Sequence, residues 1–273
     1  MRTIAVVAQK GGQLKTTSVI NMAACLAGQG RRVLVIDGDV QANATYVLLR
    51  GEAPRRPTLS HVLAGEATAD DAIVPSGVQG VSLIPAEPGL ADVAVALASE
   101  VGRERRLRSA MAAMAAEFDV CLVDTGPTRS LLSSNVLNFA EDVLVPIAPG
   151  VFGFLGLVQL RADMALVRRF LENKTLGLLG IVLVMTERTS VSRDFERQMR
   201  EVHGDLVFAA TVPRAVKFEE AASRKLTIFE HAPRSPGALA YQALTTEVMS
   251  RGHRSEEERD DAPLGHLRGD DAA

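Results

Sequence analysis

Gln9-Lys10-Gly11-Gly12-Gln13-Leu14-Lys15-Thr16-Thr17-Ser18 is the stretch on which the reading of this chain turns. It follows the apolar run Thr3-Ile4-Ala5-Val6-Val7-Ala8 and precedes a helical pattern from Thr16 to Ala27. Strand, glycine-rich loop and helix in that order lay out a phosphate-binding loop, in which backbone N–H groups and a helix N-terminus face an anion. In such a loop Lys15 reaches the β- and γ-phosphates of a nucleotide, and Thr16 places its hydroxyl on Mg²⁺. Gly11 and Gly12 let the backbone wrap closely around phosphate, although a plain βα turn also asks for glycine. The candidate nucleotide contacts are therefore Lys10, Gly11, Gly12, Gln13, Leu14, Lys15, Thr16 and Thr17. Two positions are unusual. Lys10 stands where an ordinary loop of this kind needs no lysine, and Leu14 stands where the motif has glycine.

Around this loop, hydrophobic runs alternate with helical patterns, which is how a parallel sheet covered on both faces reads. Strands are expected at 3–8, 32–37, 81–85, 119–124, 142–147, 177–185 and 207–212. Helices are expected at 16–29, 58–64, 92–117, 130–138, 154–172, 191–202, 217–223 and 236–250. Gly30 suits the position just past the first helix. In the helix at 92–117, Arg103 to Arg108 would face solvent, with Met111, Met114 and Phe118 in the core. The fold class is a doubly wound, mostly parallel α/β sheet over residues 1–250. Residues 251–273, polar and charged, form a tail expected to be disordered.

The chain has 273 residues, enough for one large core. No apolar run approaches the roughly 18 residues of a membrane span, and no signal sequence precedes the first strand. Cys25 and Cys121 are the only cysteines and sit in apolar surroundings, which suits a reduced, cytoplasmic setting. The tail, with seven acidic and four basic residues, carries the whole formal charge of −3. The body is neutral, so any nucleic-acid binding has to come from a local basic patch.

Asp37, Asp39 and Asp124 close the second and fourth expected strands. Carboxylates at the C-terminal ends of parallel strands stand beside the ligand crevice. Each alone could equally be a helix cap or turn residue.

The loop resembles Lys-Gly-Gly-x-Gly-Lys-Thr-Thr, the deviant Walker A motif of the ParA/MinD ATPases, and the chain resembles their chromosomal, Soj-like ParA branch. Asp37-Gly38-Asp39-Val40-Gln41-Ala42-Asn43-Ala44-Thr45 is similar to that family's Asp-x-Asp-Pro-Gln-x-Asn-Ala-Thr segment, with Val40 for proline. Val123-Asp124-Thr125-Gly126-Pro127 resembles its Walker B strand, with Gly126 for the first proline. Val212-Pro213-Arg214 and His231 to Ala238 resemble its C-terminal segments, in collinear order from about residue 3 to 250. The resemblance implies ATP and Mg²⁺ as ligands. It implies that Lys10, Lys15 and Asp39 are catalytic, with Lys10 crossing a homodimer interface to the partner's nucleotide and Asp39 positioning the attacking water. Thr16, Asp37 and Asp124 would hold the metal, directly or through its water shell, and Pro213 would border the adenine. It further implies nonspecific DNA binding on the nucleoid, by Arg214, Lys217, Arg224 and Lys225, and a ParB-like or adaptor partner that triggers hydrolysis. Those basic residues are interleaved with Glu219 and Glu220, as on any solvated face.

Two rivals stand beside this reading, the first with the same fold and a different surface, the second of another class. A MinD-like membrane regulator would use an amphipathic C-terminal helix, whereas this tail carries Glu256-Glu257-Glu258 and Asp270-Asp271. A silent ParA-like scaffold would follow if Leu14 closes the nucleotide site. At Leu14 a positive φ would cost roughly 1–2 kcal/mol, and a Cβ would crowd the phosphate. A metabolic synthetase is remote, since no substrate-domain insertion is visible. The chain carries no extension before its first strand, so operator-specific DNA binding is not expected.

Overall fold

The computed structural model describes residues 1–150 and 152–252. The chain runs β1 (Arg2–Val6), α1 (Lys15–Gly28), β2 (Val33–Gly38), α2 (Asn43–Leu48), α3 (Leu59–Ala64), α4 (Ala69–Ala72), β3 (Val74–Pro75) and β4 (Val81–Ile84). It continues through α5 (Leu90–Ala96), α6 (Arg106–Met111), β5 (Val120–Thr125), α7 (Leu131–Phe139), β6 (Asp142–Ile147), α8 (Phe152–Phe170) and β7 (Gly177–Thr186). It ends with α9 (Ser190–His203), β8 (Val207–Pro213), α10 (Val216–Ser223), α11 (Ile228–His231) and α12 (Pro236–Ser250).

The strands form one sheet in the order β3-β4-β2-β5-β1-β6-β7-β8. All pairings are parallel except β3 with β4. Parallel neighbours need crossover helices, and these cover both faces. The period-two alternation of side chains divides the core accordingly. Ala5, Leu34 and Ile36 point to one face, under α3 to α9. Ile4, Val6, Val33 and Val35 point to the other, under α1, α2 and α10 to α12.

All seven expected strands are present, with ends within two residues of the expected ones. The eighth, β3, is a two-residue antiparallel edge, too short to leave a periodic signal. The expected helix at 92–117 is not continuous. It breaks into α5, single 3₁₀ turns at Leu97–Ser99 and Arg103–Arg105, then α6 and a further 3₁₀ stretch at Ala112–Ala116. Gly102 takes a left-handed φ of 73°, which a helix cannot continue through. The freed backbone groups are taken up by α7. Asn135 accepts from Leu107 N–H at 3.1 Å and donates to Arg103 O at 2.8 Å, and Asn138 donates to Glu104 O at 3.1 Å. Met111 and Met114 are buried and Phe118 packs against the core, as expected. The expected disordered tail lies, beyond Gly252, outside the described residues. Among the described residues no helix is long and apolar enough to cross a membrane.

Helix α1 carries the glycine-rich loop at its start, and its placement is fixed at several points. Its end is a Schellman turn: Gly30, at φ 82°, donates to Ala27 O and Arg31 donates to Leu26 O. Buried Ser18 and Tyr241 share a hydrogen bond of 3.0 Å between α1 and α12. Asn21 donates to Thr17 O and accepts from Ile228 N–H, both at 2.7 Å, which ties α1 to α11. At the opposite edge of that layer, Glu247 of α12 accepts from the Ala209 and Ala210 N–H groups of β8, both at 2.9 Å. Arg200 of α9 donates to Phe208 O at 3.1 Å on the same strand.

Replacing Tyr241 with phenylalanine leaves the buried Ser18 hydroxyl without this partner while keeping the ring. Urea denaturation of Tyr241→Phe is expected to show a loss of about 1–2 kcal/mol. An unchanged midpoint would mean that the α1–α12 contact is held by apolar packing alone.

Candidate nucleotide site

The register of the sheet brings the expected carboxylates together. In the parallel β2–β5 pair Asp37 stands opposite Asp124, and Gly38 opposite Thr125. The strands approach so closely here that a Cβ on Gly38 would lie 2.8 Å from the Asp124 carbonyl oxygen, so only glycine fits between Asp37 and Asp39. β1 flanks β5 with Val6 opposite Asp124, and the glycine-rich loop leaves its C-terminal end. Asp37 and Asp124 are completely buried and Asp39 nearly so.

Burial of three carboxylates beside one buried ammonium has an electrostatic cost. Desolvation, and then the facing Asp37, push the Asp124 carboxyl up to about 8, against the pull of the Thr16 hydroxyl bond. Desolvation likewise pushes Asp37 up to about 6, although Thr45 and the Asp39 N–H favour its charged form. Lys15 is lowered by burial, and Asp124 and Asp39 oppose that shift. Thr16 donates its hydroxyl to Asp124 Oδ2 at 2.7 Å, so Thr16 and Asp124, two of the three expected metal residues, are in direct contact. Asp37, the third, accepts from Thr45 N–H and hydroxyl, both at 2.7 Å. Asp39 accepts from Gln41 N–H at 3.0 Å and sits beside Gly126, where a Cβ would lie 3.4 Å from its Oδ1.

The loop itself has the required form. Gly12 adopts φ 74°. Leu14 adopts φ 52° and ψ 28°, the left-handed conformation that the glycine of the motif takes without strain. The expected backbone penalty is therefore real, roughly 1–2 kcal/mol. The leucine side chain is half-buried and packs against the apolar cluster beneath α1. Burial there offsets part of that cost. No side chain caps the start of α1, so its first-turn N–H groups face the loop without a side-chain acceptor. Gln13 accepts from Ala148 N–H at 2.6 Å, anchoring the loop to the end of β6.

These features fit a magnesium–nucleotide. An uncapped helix start suits phosphate, and Thr16 with Asp124 suits a divalent cation held mainly through its water shell, since no three acidic or histidine side chains among the described residues converge as a direct metal cage. Lys10 is exposed at the loop's outer rim. Pro213 ends β8, on the same end of the sheet but three strands from β1 in the order, about 14 Å at the usual strand spacing.

The basic candidates divide into two groups. Arg214 and Lys217 are exposed and paired with Glu187 at 3.1 Å and Glu220 at 2.7 Å. Arg224 is exposed at the end of α10, while Lys225 is half-buried with its ammonium 5.5 Å from the Tyr46 ring centre. The contributions of Gln13 to the β6 junction and of Thr45 to Asp37 were not legible in the sequence. Thr45 lies within the segment that carries the family resemblance, but its hydroxyl's target is a matter of tertiary placement.

Comparison with known proteins agrees with this geometry. A family model described as an AAA domain matches residues 1–177. The chromosome partitioning protein ParA of Caulobacter vibrioides is 37% identical over 254 residues, which are 92% of this chain and 95% of that protein. The chromosome-partitioning ATPase Soj of Thermus thermophilus is 41% identical over 253 residues, 92% of this chain and 96% of that one. Among solved structures, cobyrinic acid a,c-diamide synthase from Mycobacterium smegmatis, with bound ATP analogue and magnesium, superposes with a TM-score of 0.78 at 32% identity. That match covers 91% of this chain and 94% of the other. The cell division ATPase MinD of Pyrococcus furiosus superposes at 0.73 with 27% identity, covering 91% and 98%. With the sheet order, the loop and the strand-end carboxylates in place, the chain belongs to the ParA/MinD family of P-loop ATPases, on its Soj-like ParA side.

Proposed function

We propose that residues 1–250 form one ParA-type ATPase domain that uses Mg-ATP to switch between a free form and a DNA-bound sandwich homodimer. A ParB-like or adaptor partner then stimulates hydrolysis and releases the dimer, so that a chromosome, plasmid or large cargo is moved over the nucleoid. The observation that carries this reading is the meeting of Lys15, Thr16, Asp37, Asp39 and Asp124 behind an uncapped helix start. The printed names of the Caulobacter and Thermus relatives support the biological role. The ATP analogue and magnesium in the Mycobacterium smegmatis structure support the ligands.

In this reading the first-turn N–H groups of α1 and the Lys15 ammonium hold the phosphates. Thr16 and Asp124 hold the cation, with Asp37 behind them. When bound there, Mg²⁺ would supply charge neutralisation to the phosphates. Asp39 orients the attacking water, and Lys10 of one protomer reaches the partner's nucleotide. Phosphoryl transfer asks mainly for positioning and charge neutralisation, so these groups suffice. Arg214, Lys217, Arg224 and Lys225 contribute phosphate contacts to DNA without reading bases. Leu14 takes the backbone conformation that the motif requires, which favours a working site over a closed one.

Three outcomes test this. In titration calorimetry with Mg-ATP, the parent and Leu14→Gly are expected to bind within about tenfold of each other, since only a strain of roughly 1–2 kcal/mol separates them. Lys15→Ala is expected to bind about 100-fold more weakly. Binding by Leu14→Gly alone would identify the chain as a nucleotide-free relative. Asp124→Asn is expected to raise the melting temperature of the nucleotide-free protein at neutral pH by ~2–4 °C, because it removes a buried carboxyl whose raised pKa opposes folding, a net gain of about 1 kcal/mol, while abolishing Mg²⁺-dependent affinity. A lower melting temperature would refute the account of the carboxylate cluster. Alanine at Arg214, Lys217, Arg224 and Lys225 together is expected to flatten the salt dependence of DNA binding by roughly 3–4 in log–log slope. An unchanged slope would move the DNA surface elsewhere.

A further inference from the structure

At the far end of α2 from the carboxylates lies a polar cluster of which the cycle described above uses only Lys225. Arg50 follows this helix with φ 57°, a conformation natural to glycine rather than arginine. Its guanidinium makes four hydrogen bonds. Nη1 donates to Lys225 O at 2.5 Å and Glu230 Oε2 at 3.2 Å. Nη2 donates to Gly77 O at 2.6 Å and Glu230 Oε1 at 2.5 Å. Glu230 is fixed in turn by Thr227, whose N–H and hydroxyl both donate to it at 2.9 Å. Two glycines make the room. A β-carbon at Gly77 would overlap the Arg50 side chain, and one at Gly51 would overlap that of Lys225. Lys225, itself at φ 58°, lies over Tyr46, which α2 presents half-exposed.

The near end of α2 belongs to the nucleotide site. Asp37 takes both the N–H and the hydroxyl of Thr45 in the helix's first turn. Ala42, at φ 51° just before the helix, donates its N–H to Asp39 O at 2.9 Å. A six-residue helix is only about 9 Å long. One short rigid element therefore has Asp37 and Asp39 at one end, and Tyr46 and Arg50 grip the Arg224–Lys225 corner from the other. A guanidinium with four partners transmits displacement better than an ammonium, because its planar fork fixes direction as well as distance.

We propose that Arg50 is a positioning residue that couples occupancy of the nucleotide site, through α2, to the binding of duplex DNA at the Arg224–Lys225 corner. The proposal rests on the reading above that this corner contacts DNA. Coupling of this kind is reciprocal: nucleotide tightens DNA binding by the same factor by which DNA tightens nucleotide binding.

The test measures that factor in the full chain, with a non-hydrolysable ATP analogue, Mg²⁺ and a random-sequence duplex at fixed salt. DNA affinity is read with and without nucleotide, and nucleotide affinity with and without DNA. The parent is expected to show a factor of about ten or more in both directions. In Arg50→Ala and Arg50→Lys the factor is expected to fall towards one, while nucleotide affinity without DNA stays within about twofold of the parent's, a split that general loosening of the fold would not give. Tyr46→Ala, at a half-exposed side chain, repeats the test should Arg50→Ala fail to fold, and a partial loss of coupling is expected there. Coupling equal to the parent's in all folded variants overturns the proposal. Amide hydrogen exchange on adding nucleotide alone supplies a readout independent of DNA, with slower exchange expected at 46–51 and 224–230 in the parent and not in Arg50→Ala. If the parent binds no DNA yet shows that nucleotide-dependent protection, the DNA reading fails and the relay through α2 stands. If exchange there ignores nucleotide, the relay fails whatever the DNA result.

Discussion

The site depends on the contact between β2 and β5 at Gly38. The two strands can stand in register with Asp37 against Asp124 only because no side chain projects between them at that point. The result is a set of acids removed from water at the C-terminal end of a parallel sheet, with Lys15 as the buried counter-charge. Burying like charges together opposes folding. The arrangement persists because the apolar strands on either side, Val33 to Ile36 and Val120 to Val123, are fully committed to the two core layers. In the function proposed above, a nucleotide with its cation would relieve that opposition and so link ligand binding to stability.

The same logic explains Leu14. A residue with a β-carbon in a left-handed conformation is disfavoured, yet three features hold it there. The Gln13 bond to Ala148 N–H anchors the loop before it, the Ser18 and Asn21 contacts fix the helix after it, and its own side chain reaches apolar neighbours. The surroundings over-determine the backbone, which is the condition for strain to survive at a functional site.

Much of this was legible beforehand, for identifiable reasons. Doubly covered parallel strands are uninterrupted Val, Ile and Leu runs, and each such run became a strand. The glycine-rich loop and the strand-end aspartates carry their chemistry in their residue types, so the site's members could be named before its geometry was known. The helix expected over 92–117 failed because Gly102 was outweighed by the helical pattern around it. What stops the helix is a left-handed glycine together with Asn135 and Asn138, which lie some thirty residues downstream and take over the freed backbone groups. Arg50 was equally invisible. It reads as a loop arginine, and its four hydrogen bonds go to three residues, at positions 77, 225 and 230, which sequence spacing does not connect.

The two borders of the sheet are closed in different ways. One ends in β3, two residues long and closed by Pro75, which has no N–H to offer. The other, β8, has its Ala209 and Ala210 amides occupied by the Glu247 carboxylate and its Phe208 carbonyl occupied by Arg200. Neither border leaves a long row of open backbone groups onto which another chain could add as a strand. A molecule closed in this way offers a neighbouring copy side chains rather than backbone, so crowding favours contacts that come apart again over the continuous ladder of an aggregate.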